Sequence, residues 1–343
     1  MTHAERYLEL GLRLGRHEPD LVDSYYGPEE LRRRIDDEPL LEPARLAADA
    51  AGLLAELDDR WLAAQVRALE TTARTLAGEE LPYAEEVELT YGIRPRWIDE
   101  QEFERGHALL DDTLVGSGDL AARFARWFEE AALPAAALEP AVDEALALVR
   151  ERTRETVGLP EGEQVELEIV TGELWFGYAH YLGGFRTRIS VNTDLSFPAA
   201  ELLWFAAHEG YPGHHTIDSL LEATFGGRVE FLVRPLFSPQ SLLHEAASSL
   251  AASLAFSDAA RLAFERDELF PLAGLDPADG RPPEPPPAVP TGPGRGSGRG
   301  GDSDSQEPGR GEGVRPGLPG GHPPADRPGT VRRPAGRRRP GHP

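Results

Sequence analysis

The feature that most limits what this chain can fold into is a break in composition near residue 277. From Gly280 to Pro343 there are 16 Pro and 16 Gly in 64 residues, and no Phe, Trp or Tyr occurs after Phe270. Such a stretch cannot bury enough apolar surface to offset the entropy of ordering it. Residues 279–343 are therefore expected to form a disordered Pro/Gly/Arg-rich tail, which leaves residues 1–278 to fold. Three readings of the tail compete. It is a natural disordered extension, or a nucleic-acid or membrane arm built on Arg332, Arg333 and Arg337 to Arg339. The third is the product of a shifted reading frame, because an off-frame reading of GC-rich DNA gives mostly Pro, Gly, Arg and Ala. Composition alone makes the first the default, while the abruptness of the change supports the third.

Charge and residue usage exclude several classes of function. The 343 residues carry 59 acidic and 35 basic side chains, a formal −24. From Pro277 onward 11 Arg stand against 7 acids, so the preceding residues carry −28. A body that acidic is a poor surface for nucleic-acid phosphates. There is no cysteine and no lysine, which removes disulfides, thiolate ligands and Schiff-base or P-loop lysine chemistry. No apolar run reaches the roughly 18–20 residues of a membrane span. Met1 to Asp20 lacks the basic start and apolar core of a signal peptide. A cytoplasmic chain without a membrane partner is expected, and the oligomeric state is left open.

Most of the body has helical periodicity. Helices are predicted over Arg6–Leu14, Ala44–Leu76, Glu102–Leu114, Leu120–Ala132, Pro140–Thr156, Ala199–Glu209, Gln240–Phe256 and Ala259–Leu269, with Pro140 at the first helical position. One region alternates instead. Gln164–Val170, Leu174–Tyr181 and Phe185–Val191 read as strands, with Gly183-Gly184 as a hairpin turn. The fold class is thus mainly α with a small β-sheet. A helical half, about 1–160, precedes a half of about 161–278 that holds the sheet.

The chemistry-bearing segment is Ala206 to His215, A-A-H-E-G-Y-P-G-H-H, which follows the apolar stretch Leu202–Ala207. In zinc hydrolases with H-E-x-x-H, two histidines hold the metal from one helix face and the Glu activates water. Pro212 breaks the strict spacing: it has no N–H for the carbonyl of His208, and its ring crowds that turn. With Gly213 it should bulge or end the helix. A bulge of two residues would carry His214 to the position of the second ligand. His215 is the rival, since an unbroken helix would place it on the face of His208 about 10 Å further along. A solvated, capping role for these histidines is the competing reading. A zinc site needs a third ligand. Glu245 is the only carboxylate between Glu230 and Asp258, on an otherwise apolar or small-residue helix. A surface role for Glu245, and ligation by His244 instead, stay open.

These residues resemble the bacterial domain-of-unknown-function family eight-eight-five, whose signature is H-E-x-x-P-G-H-H. Leu21 to Pro28 (L-V-D-S-Y-Y-G-P), Gly183 to Asp194 (G-G-F-R-T-R-I-S-V-N-T-D) and Pro239 to Leu250 (P-Q-S-L-L-H-E-A-A-S-S-L) are similar to further family segments. In the last of these the family pattern is P-x-x-L-I-S-E-G-x-A, which aligns Glu245 with its Glu. The resemblance implies a mostly helical, zincin-like metallopeptidase-related fold, with one Zn2+ held by His208, His214 and Glu245 and with Glu209 as general base. It also implies further helices where this chain turns Pro- and Gly-rich, and with that the shifted reading frame becomes the favoured reading of the tail. If those helices are missing, Gln240–Phe256 and Ala259–Leu269 expose an apolar face.

The expected activity is hydrolysis of a peptide or amide substrate. Arg186 and Arg188 are candidates to grip a substrate carboxylate, with the strand Phe185–Val191 aligning the substrate by edge pairing. Tyr178, Tyr181 and Tyr211 are candidate oxyanion donors, though a solvated strand face or a core aromatic explains each of these side chains equally well. The rival classes are a non-catalytic scaffold with a structural metal and an inactive frameshifted product.

Overall fold

The computed structural model describes residues 1–255, 258–272 and 276. The Pro/Gly-rich stretch from Gly280, and the lack of regular structure expected of it, lie outside the described residues. The fold is mainly α with a small amount of sheet. The order is α1 (His3–Gly15), β1 (Val22–Tyr25), α2 (Glu29–Asp37), α3 (Pro43–Leu54), α4 (Arg60–Leu76), α5 (Tyr83–Tyr91), α6 (Glu100–Thr113), α7 (Leu120–Glu130), α8 (Ala135–Thr156), β2 (Gln164–Val170), β3 (Gly177–Tyr181), β4 (Arg186–Asn192), α9 (Leu202–Phe205), α10 (His214–Phe225), β5 (Val233–Pro235), α11 (Pro239–Ala255) and α12 (Asp258–Phe264).

Local chemistry explains two of the places where the helix boundaries differ from the sequence expectation. The run Ala44–Leu76 is two helices, because Asp59 caps the second: its carboxylate accepts from the backbone N–H groups of Trp61 at 2.9 Å and Leu62 at 3.0 Å. A side chain bonded to those orphan donors starts a new helix. Pro140 lies inside α8 rather than at its first position, and the helix begins just after Pro134. Pro134 supplies the starting geometry, so Pro140 forfeits one backbone bond within the helix.

Among the described residues two apolar cores result. In the first, Tyr7, Leu8 and Leu14 of α1 pack against Leu46 and Leu53 of α3, Val66 and Leu69 of α4, and Val233 of β5. In the second, Val142, Leu146 and Val149 of α8 meet Ile189 and Val191 of β4 and Leu202, Leu203 and Phe205 of α9. By contrast α6 and α7 have no buried residue and pack on each other. On the outer side of α11, Leu243, Leu250 and Leu254 are 64%, 58% and 75% exposed.

The three-stranded sheet has the order β2-β4-β3, with β2 parallel and β3 antiparallel to β4. Gly183 joins β3 to β4 at φ +78°, the left-handed region that favours glycine in hairpin turns. Strand β4 is therefore central, with a neighbour on each side. It has no free edge, and the pairing of a substrate along Phe185–Val191 is corrected on that ground. A second small sheet pairs β1 with β5, and its register slips between Val22 and Ser24. Asp23 is the extra residue of this bulge.

Candidate metal centre

The polypeptide between α9 and α10 does not continue as one helix. After α9 the chain widens into a π-helical turn, Ala206–Gly210, in which Tyr211 N–H donates to Ala206 C=O at 3.1 Å. Gly213 N–H then reaches back to Ala207 C=O at 2.8 Å, and α10 starts at His214. Pro212, in a cis peptide bond with Tyr211, sits at the break. Gly213 is required by close approach: a Cβ there would lie 1.9 Å from the carbonyl oxygen of His208. Pro212 and Gly213 thus interrupt the helix and turn α10 back toward the first histidine.

The outcome is that His214, not His215, meets His208. The two Nε2 atoms are 3.1 Å apart. Glu245 of α11 completes the group: its Oε2 is 3.4 Å from His208 Nε2 and its Oε1 is 3.3 Å from His214 Nε2. Three electron-pair donors point at one another with all ligand atoms within 4.8 Å. Two bonds of about 2.1 Å meeting at a tetrahedral angle place their donors about 3.4 Å apart. All three separations lie close to that value, so His208, His214 and Glu245 could hold a metal ion. Both imidazoles are buried and Glu245 is partly exposed, which leaves the group open on the carboxylate side. The indole of Trp204 lies against the His208 ring, with centroids 4.8 Å apart and planes 16° from parallel.

Electrostatics suit that donor set. Burial pushes the Glu245 carboxyl up, but hydrogen bonds and charge from His208 and His214 outweigh it and hold the group well below the usual carboxylate range. Glu209, next to His208 in the chain, is buried, and burial raises its carboxyl to about 7 against a partial pull from His208. A divalent cation in the group would lower it again.

The remaining sequence candidates have other partners. His215 is fully buried, with its Nε2 3.0 Å from Glu163 Oε2 and its Nδ1 2.8 Å from Thr187 Oγ1. Both ring nitrogens are used, so its role as an alternative ligand is corrected. His244 lies behind His214 rather than among the donors; its Nδ1 is 2.7 Å from His214 Nδ1. The phenol of Tyr211 donates to Glu163 at 2.6 Å, that of Tyr181 to Glu222 and that of Tyr178 to Asp23. Each O–H is committed to a carboxylate, and none stands free as the oxyanion donor expected of it. Burial raises all three phenols, and the adjacent carboxylates raise them further. Arg186 and Arg188 flank Thr187 on β4. Strand alternation sets them on the sheet face opposite the one that reaches His215, and Arg188 lies 3.9 Å from Glu168.

Several polar residues around the group have no counterpart in the sequence reading. Arg234 is buried between Asp23 and Asp218, its Nε donating to Asp23 Oδ2 at 2.5 Å and its Nη1 to Asp218. Asp218 Oδ1 is also 3.0 Å from His244 Nε2. Ser248 Oγ is 3.1 Å from His214 Nδ1. Two signals were available: Asp218 lies four residues after His214, on the same face of a helix, and Arg234 is the one charge in the apolar run F-L-V-R-P-L-F. The segment Leu21–Pro28 also acquires a role here, because its Asp23 holds Arg234 in place.

Among the described residues no helix is long and apolar enough to cross a membrane. Comparison of the chain with models of known protein families, with curated proteins and with solved structures finds no match.

Proposed function

We propose that the chain is a divalent-metal hydrolase acting on peptide or amide bonds, related to the zincin-like family that its H-E-x-x-P-G-H-H segment resembles. The observation that carries this reading is the convergence of His208 Nε2, His214 Nε2 and Glu245 at separations of 3.1 to 3.4 Å. It is supported by a buried carboxylate, Glu209, adjacent in sequence to the first ligand. Two imidazoles and one carboxylate, with an open side, form the donor set of catalytic zinc sites. Zinc is the chemical default; the same donors also suit Mn, Fe or Co.

In this reading His208, His214 and Glu245 hold the cation. When bound, the ion supplies Lewis acidity to the scissile carbonyl and eases deprotonation of water. Glu209 accepts a proton on its carboxylate from the attacking water and passes it to the leaving amine. The low-dielectric setting of Glu209 keeps its affinity for a proton closer to neutrality than that of a solvated carboxylate. Trp204 fixes the ring plane of His208.

Glu209→Gln is the direct test. The amide cannot take the proton, so the variant should keep its metal and lose at least about 100-fold in turnover of a peptide library. Loss of the metal together with activity would make Glu209 a ligand or structural group, and unchanged hydrolysis would end the general-base assignment. A second reading, a scaffold with a structural metal, draws support from the three phenols whose O–H groups are already taken. It predicts full metal content with no hydrolysis of any library member.

A further inference from the structure

On the side of His214 away from the donor group runs a line of buried polar side chains that the proposed reaction leaves unused: His244, Asp218, Arg234 and Asp23. A neutral imidazole has one ring proton for two nitrogens. For His214 to offer Nε2 to a cation, its proton must sit on Nδ1 and must have an acceptor. The nearest atom is Nδ1 of His244, at 2.7 Å. That nitrogen accepts only when the proton of His244 is on its own Nε2.

His244 Nε2 lies 3.0 Å from two groups of opposite character, Asp218 Oδ1 and Arg234 Nη1. A carboxylate only accepts and a guanidinium only donates. If Asp218 dominates, His214 Nδ1–H donates to His244, His244 Nε2–H donates to Asp218, and the Nε2 lone pair of His214 is free. If Arg234 dominates, every bond reverses and the proton of His214 sits on Nε2, in the way of a cation. The surroundings tip the balance. Arg234 gives its Nε–H to Asp23 and one of its two Nη1–H groups to Asp218, so two carboxylates stand against one guanidinium, and the net negative charge beside His244 Nε2 favours the ring proton on that nitrogen. The bulge at Asp23 brings the second of those carboxylates into place.

We propose that Asp218, acting through His244, selects the ring tautomer of His214 that leaves Nε2 free for a metal ion. Both are positioning residues, and the inference rests on the metal-site reading above. Partners behind a ligating histidine fix its tautomer and orientation in this way, and their loss costs about 10–100-fold in metal affinity. A carboxylate that positions one histidine through another extends that device by one link. Ser248, 3.1 Å from His214 Nδ1, is the competing acceptor.

The test uses the full chain, labelled with 15N-histidine and freed of metal, at pH 8, where imidazoles are mostly neutral. Long-range 1H–15N correlation should show His214 carrying its proton on Nδ1 in the wild type. Asp218→Asn, whose amide can donate to His244 Nε2, should shift that proton to Nε2. Asp218→Asn and His244→Leu should each weaken Zn2+ binding about 10–100-fold in competition with a chromophoric chelator, while Ser248→Ala should bind as the wild type does. A wild-type His214 protonated on Nε2 would overturn the proposal without recourse to any variant. So would unchanged Zn2+ affinity in His244→Leu, or a loss confined to Ser248→Ala. If the wild type binds no Zn2+ at all, the metal reading fails, and the tautomer measurement on the metal-free chain still decides the role of Asp218 and His244.

Discussion

His214 and His215 are neighbours in the chain, and they occupy two different kinds of polar cluster. His215 is closed off. Its Nδ1 meets Thr187, its Nε2 meets Glu163, and Glu163 in turn accepts from Tyr211 and Arg150. Every strong donor and acceptor there is matched by protein, so the cluster ties α8, β4 and the turn at Pro212 together and has nothing left to bind. His214 is satisfied on one side only. Its Nδ1 has His244 and Ser248, while its Nε2 faces two other electron-pair donors. Three acceptors turned toward each other, with a carboxylate among them, suit a cation or shared protons. The role of a buried histidine is thus set by what its second nitrogen finds, not by its place in a motif.

The largest expected effect separates the two neighbours. His214→Ala should lose metal affinity by well over the roughly 100-fold that a missing second-layer partner costs. His215→Ala should leave metal binding intact in the folded protein and lower stability by about 2 kcal/mol, because Glu163 loses one of its three hydrogen-bonding partners and keeps Tyr211 and Arg150. Chelator competition and urea unfolding on both variants check this. A His215→Ala variant that folds well and loses its metal would erase the distinction.

Acid should act through the closed cluster. Burial pushes the Glu163 carboxyl up, but hydrogen bonds from His215, Tyr211 and Arg150 outweigh it and hold the group at about 2, against an ordinary 4.5. A carboxyl lowered in the folded state gives stability that is complete above its unfolded value and is lost as pH falls through the folded one. The wild type should therefore lose this contribution between about pH 4.5 and 2, and Glu163→Gln should show a shallower decline over that window. Parallel pH-unfolding curves for the two proteins would remove Glu163 from the account.

The smallest effect should come from Thr187→Val, which removes one partner of His215 and keeps the shape of the side chain. A loss of about 1 kcal/mol is expected, with metal affinity unchanged. A larger loss would mean that Thr187, rather than Glu163, anchors the cluster.

Much of this arrangement is legible in the sequence, and what is not follows a pattern. Strand Gln164–Val170 is bounded by alternation, and the helix break at Pro212-Gly213 follows from a missing N–H and a missing Cβ. Both signals are local. Glu245 stands out as a lone carboxylate on an apolar helix. The partners of the histidines carry no such mark. Glu163 reaches His215 across 52 residues and Asp23 reaches Arg234 across 211. Those pairings are set by how α8, β1 and β5 pack, and no spacing in the chain encodes them. The same reason explains Tyr178, Tyr181 and Tyr211: their side chains suit an oxyanion role, and tertiary contacts commit each one to a carboxylate.

Metal analysis of the purified full chain tests the central claim most directly. Dialysed against Zn2+ and freed of excess, the wild type should retain about one ion per chain, and His208→Ala, His214→Ala and Glu245→Ala should each retain far less while His215→Ala retains the wild-type amount. A wild type that retains no metal, or one that still retains it after His208, His214 or Glu245 is replaced, would contradict the account.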